Sequence, residues 1–114
     1  MVGGRSTASF GLPGAAPLVT FSCDRGNARV LIARQGTASG AVPMMLRSTA
    51  SLRPLNSDPR LSSPGMVTAE LGVRDPALDA VAFSRGRFAL ETAGLPALYL
   101  PSWPELSRVI EDCR

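Results

Sequence analysis

Leu18-Val19-Thr20-Phe21-Ser22-Cys23-Asp24-Arg25-Gly26-Asn27-Ala28-Arg29-Val30-Leu31-Ile32-Ala33-Arg34 is the stretch that decides the fold. In its first half Val19, Phe21 and Cys23 alternate with Thr20, Ser22 and Asp24, the period of a strand with one buried face. In its second half Val30 and Ile32 share one face, with Leu31 and Ala33 on the other. Between them Asp24-Arg25-Gly26-Asn27 offers glycine and asparagine for positive φ, so strands over 18–24 and 28–34 join as a hairpin.

On the N-terminal side, residues 1–17 are rich in Gly, Ala, Ser and Pro and read as a loose lead-in, with Ala8-Ser9-Phe10 as a short edge strand. On the C-terminal side a loop over 35–41 leads to a strand over 42–48, which Pro43 confines to a sheet edge or a strand start. Prolines at 54, 59 and 64 and the run Asn56-Ser57-Asp58 mark 49–65 as turns, with at most a short strand over 51–55. A strand over 66–71 follows.

Asp75-Pro76 opens a helix over 76–83, with aspartate as N-cap and proline at the first helical position. Ser84-Arg85-Gly86 ends it. A second hairpin runs through 87–92, a turn at Ala93-Gly94, and 97–100. Near the C-terminus Ser102-Trp103-Pro104-Glu105 has the form of a capping box. Leu106, Val109, Ile110 and Cys113 then make one stripe at i, i+3, i+4 and i+7. Trp103, Tyr99 and Phe88 are expected in the core under this last helix.

The 114 residues allow one domain, and 45% apolar against 18% charged residues makes it globular. The expected fold is mainly β (α+β). A single β-rich domain over 18–114 forms a small curled antiparallel sheet or barrel, with a short middle helix and a C-terminal helix packed across it.

Cys23 ends the first strand and Cys113 is the penultimate residue, each on the apolar parity of its element. The pair reads as a disulfide that ties the C-terminus to the first strand, which points to an oxidising compartment. The other reading is two separately buried, reduced thiols. No metal site is expected, because two thiols without histidine or C-x-x-C spacing do not complete a tetrahedral set. The start Met1-Val2-Gly3-Gly4-Arg5 lacks the apolar core of a signal peptide, so an exported chain is expected to have carried its signal ahead of this segment. No apolar run is long enough to span a membrane.

The net charge is +3, and all 12 basic residues are arginines spread evenly along the chain. A nucleic-acid footprint would concentrate them on a stripe with interleaved aromatics, so no nucleic-acid partner is expected. Histidine and lysine are both missing, which removes the commonest general base, Ser–Lys pairs and Schiff bases. Asp75 is assigned to an N-cap and Glu105 to the capping box. Glu70 and Glu91 lie in strands, facing each other or an arginine. No catalytic residue and no cofactor are expected. The candidate partner-binding loop is Ser84-Arg85-Gly86-Arg87, with two arginines around a glycine.

Phe21-Ser22-Cys23-Asp24-Arg25, Phe83-Ser84-Arg85-Gly86-Arg87-Phe88 and the terminal Asp112-Cys113-Arg114 together resemble small exported bacterial proteins. More distantly the chain resembles the periplasmic or lipid-anchored inhibitors of C-type lysozyme over about 18–114. That resemblance implies a small β-barrel and a Cys23–Cys113 bond. The family enters the lysozyme cleft with a Ser-Gly-x-x-Tyr loop and a downstream Lys-Gly. Here Asp79-Ala80, Phe83 and Ala93-Gly94 stand at those positions, so the resemblance implies the scaffold rather than the inhibitory residues. The expected function is that of a non-catalytic, periplasmic or secreted envelope protein acting by binding a protein or envelope component. Lysozyme inhibition is the alternative.

Overall fold

The computed structural model describes residues 7–11, 14–15, 17–49, 51–62, 64–84 and 86–114. These form β1 (Thr7–Phe10), β2 (Val19–Asp24), β3 (Arg29–Gln35), β4 (Pro43–Arg47), β5 (Leu52–Asn56), β6 (Met66–Gly72), α1 (Pro76–Ala82), β7 (Arg87–Thr92), β8 (Leu95–Pro101) and α2 (Pro104–Asp112). All strand pairs are antiparallel, in two four-stranded sheets ordered β1-β2-β3-β6 and β5-β4-β7-β8. The fold is thus mainly β, but in place of one curled sheet or a closed barrel there are two sheets. They approach each other at β5 and β6 without a shared ladder. Pro54 lies within β5, and a residue with no N–H belongs on an edge strand.

The hairpin of β2 and β3 has the register that the alternation predicts, with Phe21 opposite Ile32 and Cys23 opposite Val30. Its turn differs from the expectation. Arg25–Asn27 is a single 3-10 turn, and the positive φ of 53° falls on Ala28 rather than on Gly26 or Asn27. Asn27 instead donates from Nδ2 to Asp24 Oδ2 at 2.9 Å, tying the turn through its side chain. The stretch 1–17 contributes β1, whose Ala8 and Phe10 are buried, so the packed unit already includes Thr7–Phe10. Gly94, at φ 80°, turns β7 into β8. β8 starts at Leu95, two residues before the expected 97, because a register irregularity between Leu90 and Thr92 absorbs Pro96.

Inner faces of both sheets meet in one core. Val19, Phe21, Cys23, Val30, Ile32, Ala69 and Leu71 come from the first sheet, and Met44, Leu46, Phe88, Leu90 and Leu100 from the second. The aromatic layer joins them: the Phe21 and Phe88 rings lie 5.8 Å apart and the Phe10 and Phe88 rings 6.2 Å apart, edge to face. Arg34 makes a polar bridge across the same gap. It is buried on the inner face of β3 and donates to the carbonyls of Gln35 at 2.8 Å and Pro96 at 2.7 Å. Burial lowers its pKa from the ordinary guanidinium value, and the two carbonyls are what hold the charge there.

Helix α1 packs on β4 and α2, and α2 packs on β1 and β2. Leu106, Val109 and Ile110 are buried as the stripe predicts, and Cys113 continues it to Cys23. The two cysteines form a disulfide with Cα atoms 5.4 Å apart, closing a span of 90 residues.

The start of α2 corrects the capping-box reading. The helix begins at Pro104, the N-cap is Trp103, and no side chain caps it. A residue before proline is pushed toward the extended region, and Trp103 is there at φ −79°, ψ 154°. Trp103 therefore does not serve as the first helical residue that a box from Ser102 requires. Ser102 instead donates its hydroxyl to the Val81 carbonyl at 2.8 Å, joining the end of α1 to the approach of α2. Ser102→Ala should lower unfolding stability by about 1 kcal/mol, the worth of one partly buried hydrogen bond. Glu105→Gln should change it by less than about 0.5 kcal/mol. Denaturant midpoints of the two variants check this, and a capping box would make the losses comparable.

Candidate functional site

The loop after α1 is where two arginines around a glycine were expected to meet a partner. Ser84 is buried there and faces inward. Its hydroxyl donates to the Arg87 carbonyl at 2.7 Å and accepts the Thr49 N–H at 3.2 Å, so it locks this loop to the β4–β5 turn. Gly86 is exposed at φ 77°, and its carbonyl accepts the Ser102 N–H at 3.2 Å. Arg87 is exposed at the start of β7, and Arg85 lies outside the described residues. The loop is therefore fastened through serine and glycine, while Arg87 faces solvent. Immediately before it, Phe83 stands 76% exposed.

Two further aromatic side chains that the sequence reading placed in the core are also exposed. Phe88 is buried as expected, but Tyr99 is 69% exposed and Trp103 45%. The strand register explains Tyr99. It sits opposite Ala89 of β7, which sits opposite Arg47 of β4, which sits opposite Leu52 of β5. Direct partners share a face, and this row lies on the side away from Leu46, Leu90 and Leu100. The outer face of the second sheet thus carries Leu52, Met45, Pro54, Ala89 and Tyr99. The Arg47–Glu91 pair at 3.1 Å crosses it. Parity could have found Tyr99, since it falls between Leu98 and Leu100. The outer face of the first sheet differs: Thr7, Ser9, Thr20, Ser22, Thr68 and Glu70 make it largely hydroxylic.

Asp58, Asp75, Asp79 and Glu91 are each held by an arginine. Glu70 and Glu91 stand on different sheets and do not form a pair. Asp79 pairs with Arg114 at 2.9 Å and Asp58 with Arg60 at 3.1 Å. Asp75 accepts the Ala77 N–H at 2.9 Å as the predicted N-cap and pairs with Arg53 at 3.0 Å. Burial pushes the Asp75 carboxyl up, but the Ala77 N–H and the Arg53 guanidinium outweigh it and hold its pKa below the ordinary value. A carboxyl depressed in the folded state stabilises fully above its unfolded pKa of about 4, and that contribution is lost as pH falls through the folded value. Denaturant midpoints should therefore drop as pH is lowered below about 4, and Asp75→Asn, which keeps a capping oxygen, should shrink the drop. An unchanged acid limb in the variant would show that Asp75 does not carry it.

Among the described residues no group of three or more Cys, Asp or Glu side chains is placed to hold a metal ion. No helix among them is long and apolar enough to cross a membrane. No protein-family model, curated protein or solved structure matches the chain.

Proposed function

We propose that this is a non-catalytic protein of the cell envelope, exported from the cytoplasm and acting by binding. The observation that carries the reading is the Cys23–Cys113 disulfide, which fastens the C-terminal helix to β2. Such bonds persist where thiols are not kept reduced, outside the cytoplasm. Binding is supported by the exposed apolar side chains Leu52, Phe83, Tyr99 and Trp103. A chain without histidine or lysine, whose Asp58, Asp75, Asp79 and Glu91 are held by arginines, gives little support to general acid–base chemistry. Fractionating cells that produce the native protein tests the compartment. Recovery outside the cytoplasm is expected, and recovery in the cytoplasm would overturn the reading.

The second reading, inhibition of C-type lysozyme, draws on the same bond between an early strand and the C-terminus. Lysis of a cell-wall substrate by lysozyme separates the two. The leading proposal expects an unchanged rate at micromolar excess of this protein, and a dose-dependent fall would establish the second.

A further inference from the structure

The edge of the first sheet ends in a groove. Among the described residues β1 pairs with β2 and with no other strand, and the start of α2 lies beside it. The cleft between them, about 510 Å³, is lined by Thr7, Ala8, Ser9, Trp103, Pro104 and Glu105. Ala8 is buried toward the core whereas Thr7 and Ser9 are exposed. A cleft that touches three consecutive residues of a strand follows its edge rather than one face. Edges present main chain. The Phe10 carbonyl turns toward β2, where it accepts the Leu18 N–H at 2.7 Å, so the N–H and carbonyl of Ser9 turn the opposite way, into the groove.

The facing wall has specific chemistry. Trp103 stacks on Phe10 with ring centroids 5.3 Å apart and planes 19° apart, which fixes the indole, and the residue remains about half-exposed. Glu105 is exposed, and among the described residues no hydrogen bond or ion pair engages its carboxylate. The capping box that would have occupied it is not formed.

We infer that this groove receives an extended peptide segment, added to β1 as a further strand. An apolar side chain of that segment lies on Trp103, and a basic side chain on the same side reaches Glu105. Strand addition draws affinity from main-chain hydrogen bonds and specificity from the side chains that alternate into the groove. The unengaged carboxylate selects a lysine or arginine there. The inference rests on reading the protein as a binding protein and names the class of partner. It is independent of compartment, so failure here leaves the fractionation result standing.

Trp103 is the sole tryptophan, so its fluorescence reports occupancy of this groove directly. The probe is a capped heptapeptide, Thr-Val-Thr-Lys-Thr-Val-Thr, in which Val and Lys project on one side. Titration into the disulfide-bonded protein should give a saturable emission shift at micromolar peptide. Exchanging its lysine for glutamate should weaken binding at least tenfold. Methylating alternate backbone nitrogens should do the same. In Glu105→Gln, a surface change that leaves the fold intact, the lysine and glutamate peptides should bind equally. No emission change up to millimolar peptide would overturn the inference. So would equal binding of the N-methylated peptide, because no strand would then be added, or an undiminished lysine preference in Glu105→Gln.

Discussion

Replacing Cys23 or Cys113 by serine is expected to lower unfolding stability by about 2–5 kcal/mol. The bond closes a span of 90 residues. In the chain-entropy account a loop of this length restricts the unfolded chain by about 4–5 kcal/mol. The remainder of that range allows for structure that persists in the unfolded chain. Both sulfurs lie in the core, beside Val30 across the β2–β3 ladder and below Val109 and Ile110 on α2. Serine at either position therefore also places a hydroxyl among apolar side chains. Urea unfolding of each variant, and of the native protein with and without reductant, measures the effect. Reductant should reproduce the loss in the native protein and leave the variants unchanged. A chain of this size has only about 5–15 kcal/mol of net stability, so the reduced form should unfold at a clearly lower urea concentration.

Phe21→Ala should cost about 3–5 kcal/mol, the range for removing a fully buried aromatic ring. Phe21 is completely buried on the inner face of β2. Its ring meets Phe10 at 6.0 Å within its own sheet and Phe88 at 5.8 Å across the gap. The substitution thus removes one of the two rings of the first sheet that meet Phe88 of the second. The neighbouring rings are held by two ladders and close only partly over the void. Phe83→Ala is the internal control: at 76% exposure it should change stability by less than about 0.5 kcal/mol. A double-mutant cycle over Phe21 and Phe88 should return a coupling of about 0.5–1.5 kcal/mol. Zero coupling, with a Phe21→Ala loss no larger than that of Phe83→Ala, would mean that the sheets do not face each other as described.

Much of this architecture was legible because alternation is a local signal. Val19, Phe21 and Cys23 fix the inner face of β2, and Leu106, Val109 and Ile110 fix the buried stripe of α2. Asp75-Pro76 gave both the cap and the start of α1. What the sequence did not disclose depends on groups distant along the chain. Whether eight short strands close into a barrel or split into two sheets is set by which edges pair, and neither Pro54 in β5 nor the approach of β6 specifies that alone. Ser102 shows a local rule overridden: the spacing to Glu105 fits a capping box, but Pro104 moves the helix start by one residue and Val81 takes the hydroxyl.

The exposed aromatic residues and the candidate loop were less legible than the fold. Aromatic residues near a buried helix read as core, and Phe88 is. Tyr99 and Trp103 carry the same apolar signal, but strand parity and the turn before proline bring them to the surface. Ser84 failed in the opposite direction. A polar residue at the head of a loop that carries two arginines reads as exposed, yet it is buried because the β4–β5 turn supplies Thr49 as its partner. The salt bridge between Arg47 and Glu91 could be anticipated only as an arginine facing a strand carboxylate, since its partner strand lies 44 residues away.

Counting free thiols in the native protein, unfolded in denaturant without reductant, tests the central claim most directly. The fold and the proposed compartment both rest on Cys23 being bonded to Cys113. Material taken from the cells that naturally make the protein, and quenched with alkylating reagent at lysis, should show no reactive thiol per chain. Two reactive thiols per chain would contradict the bond, and with it the exported, envelope-located binding protein proposed here.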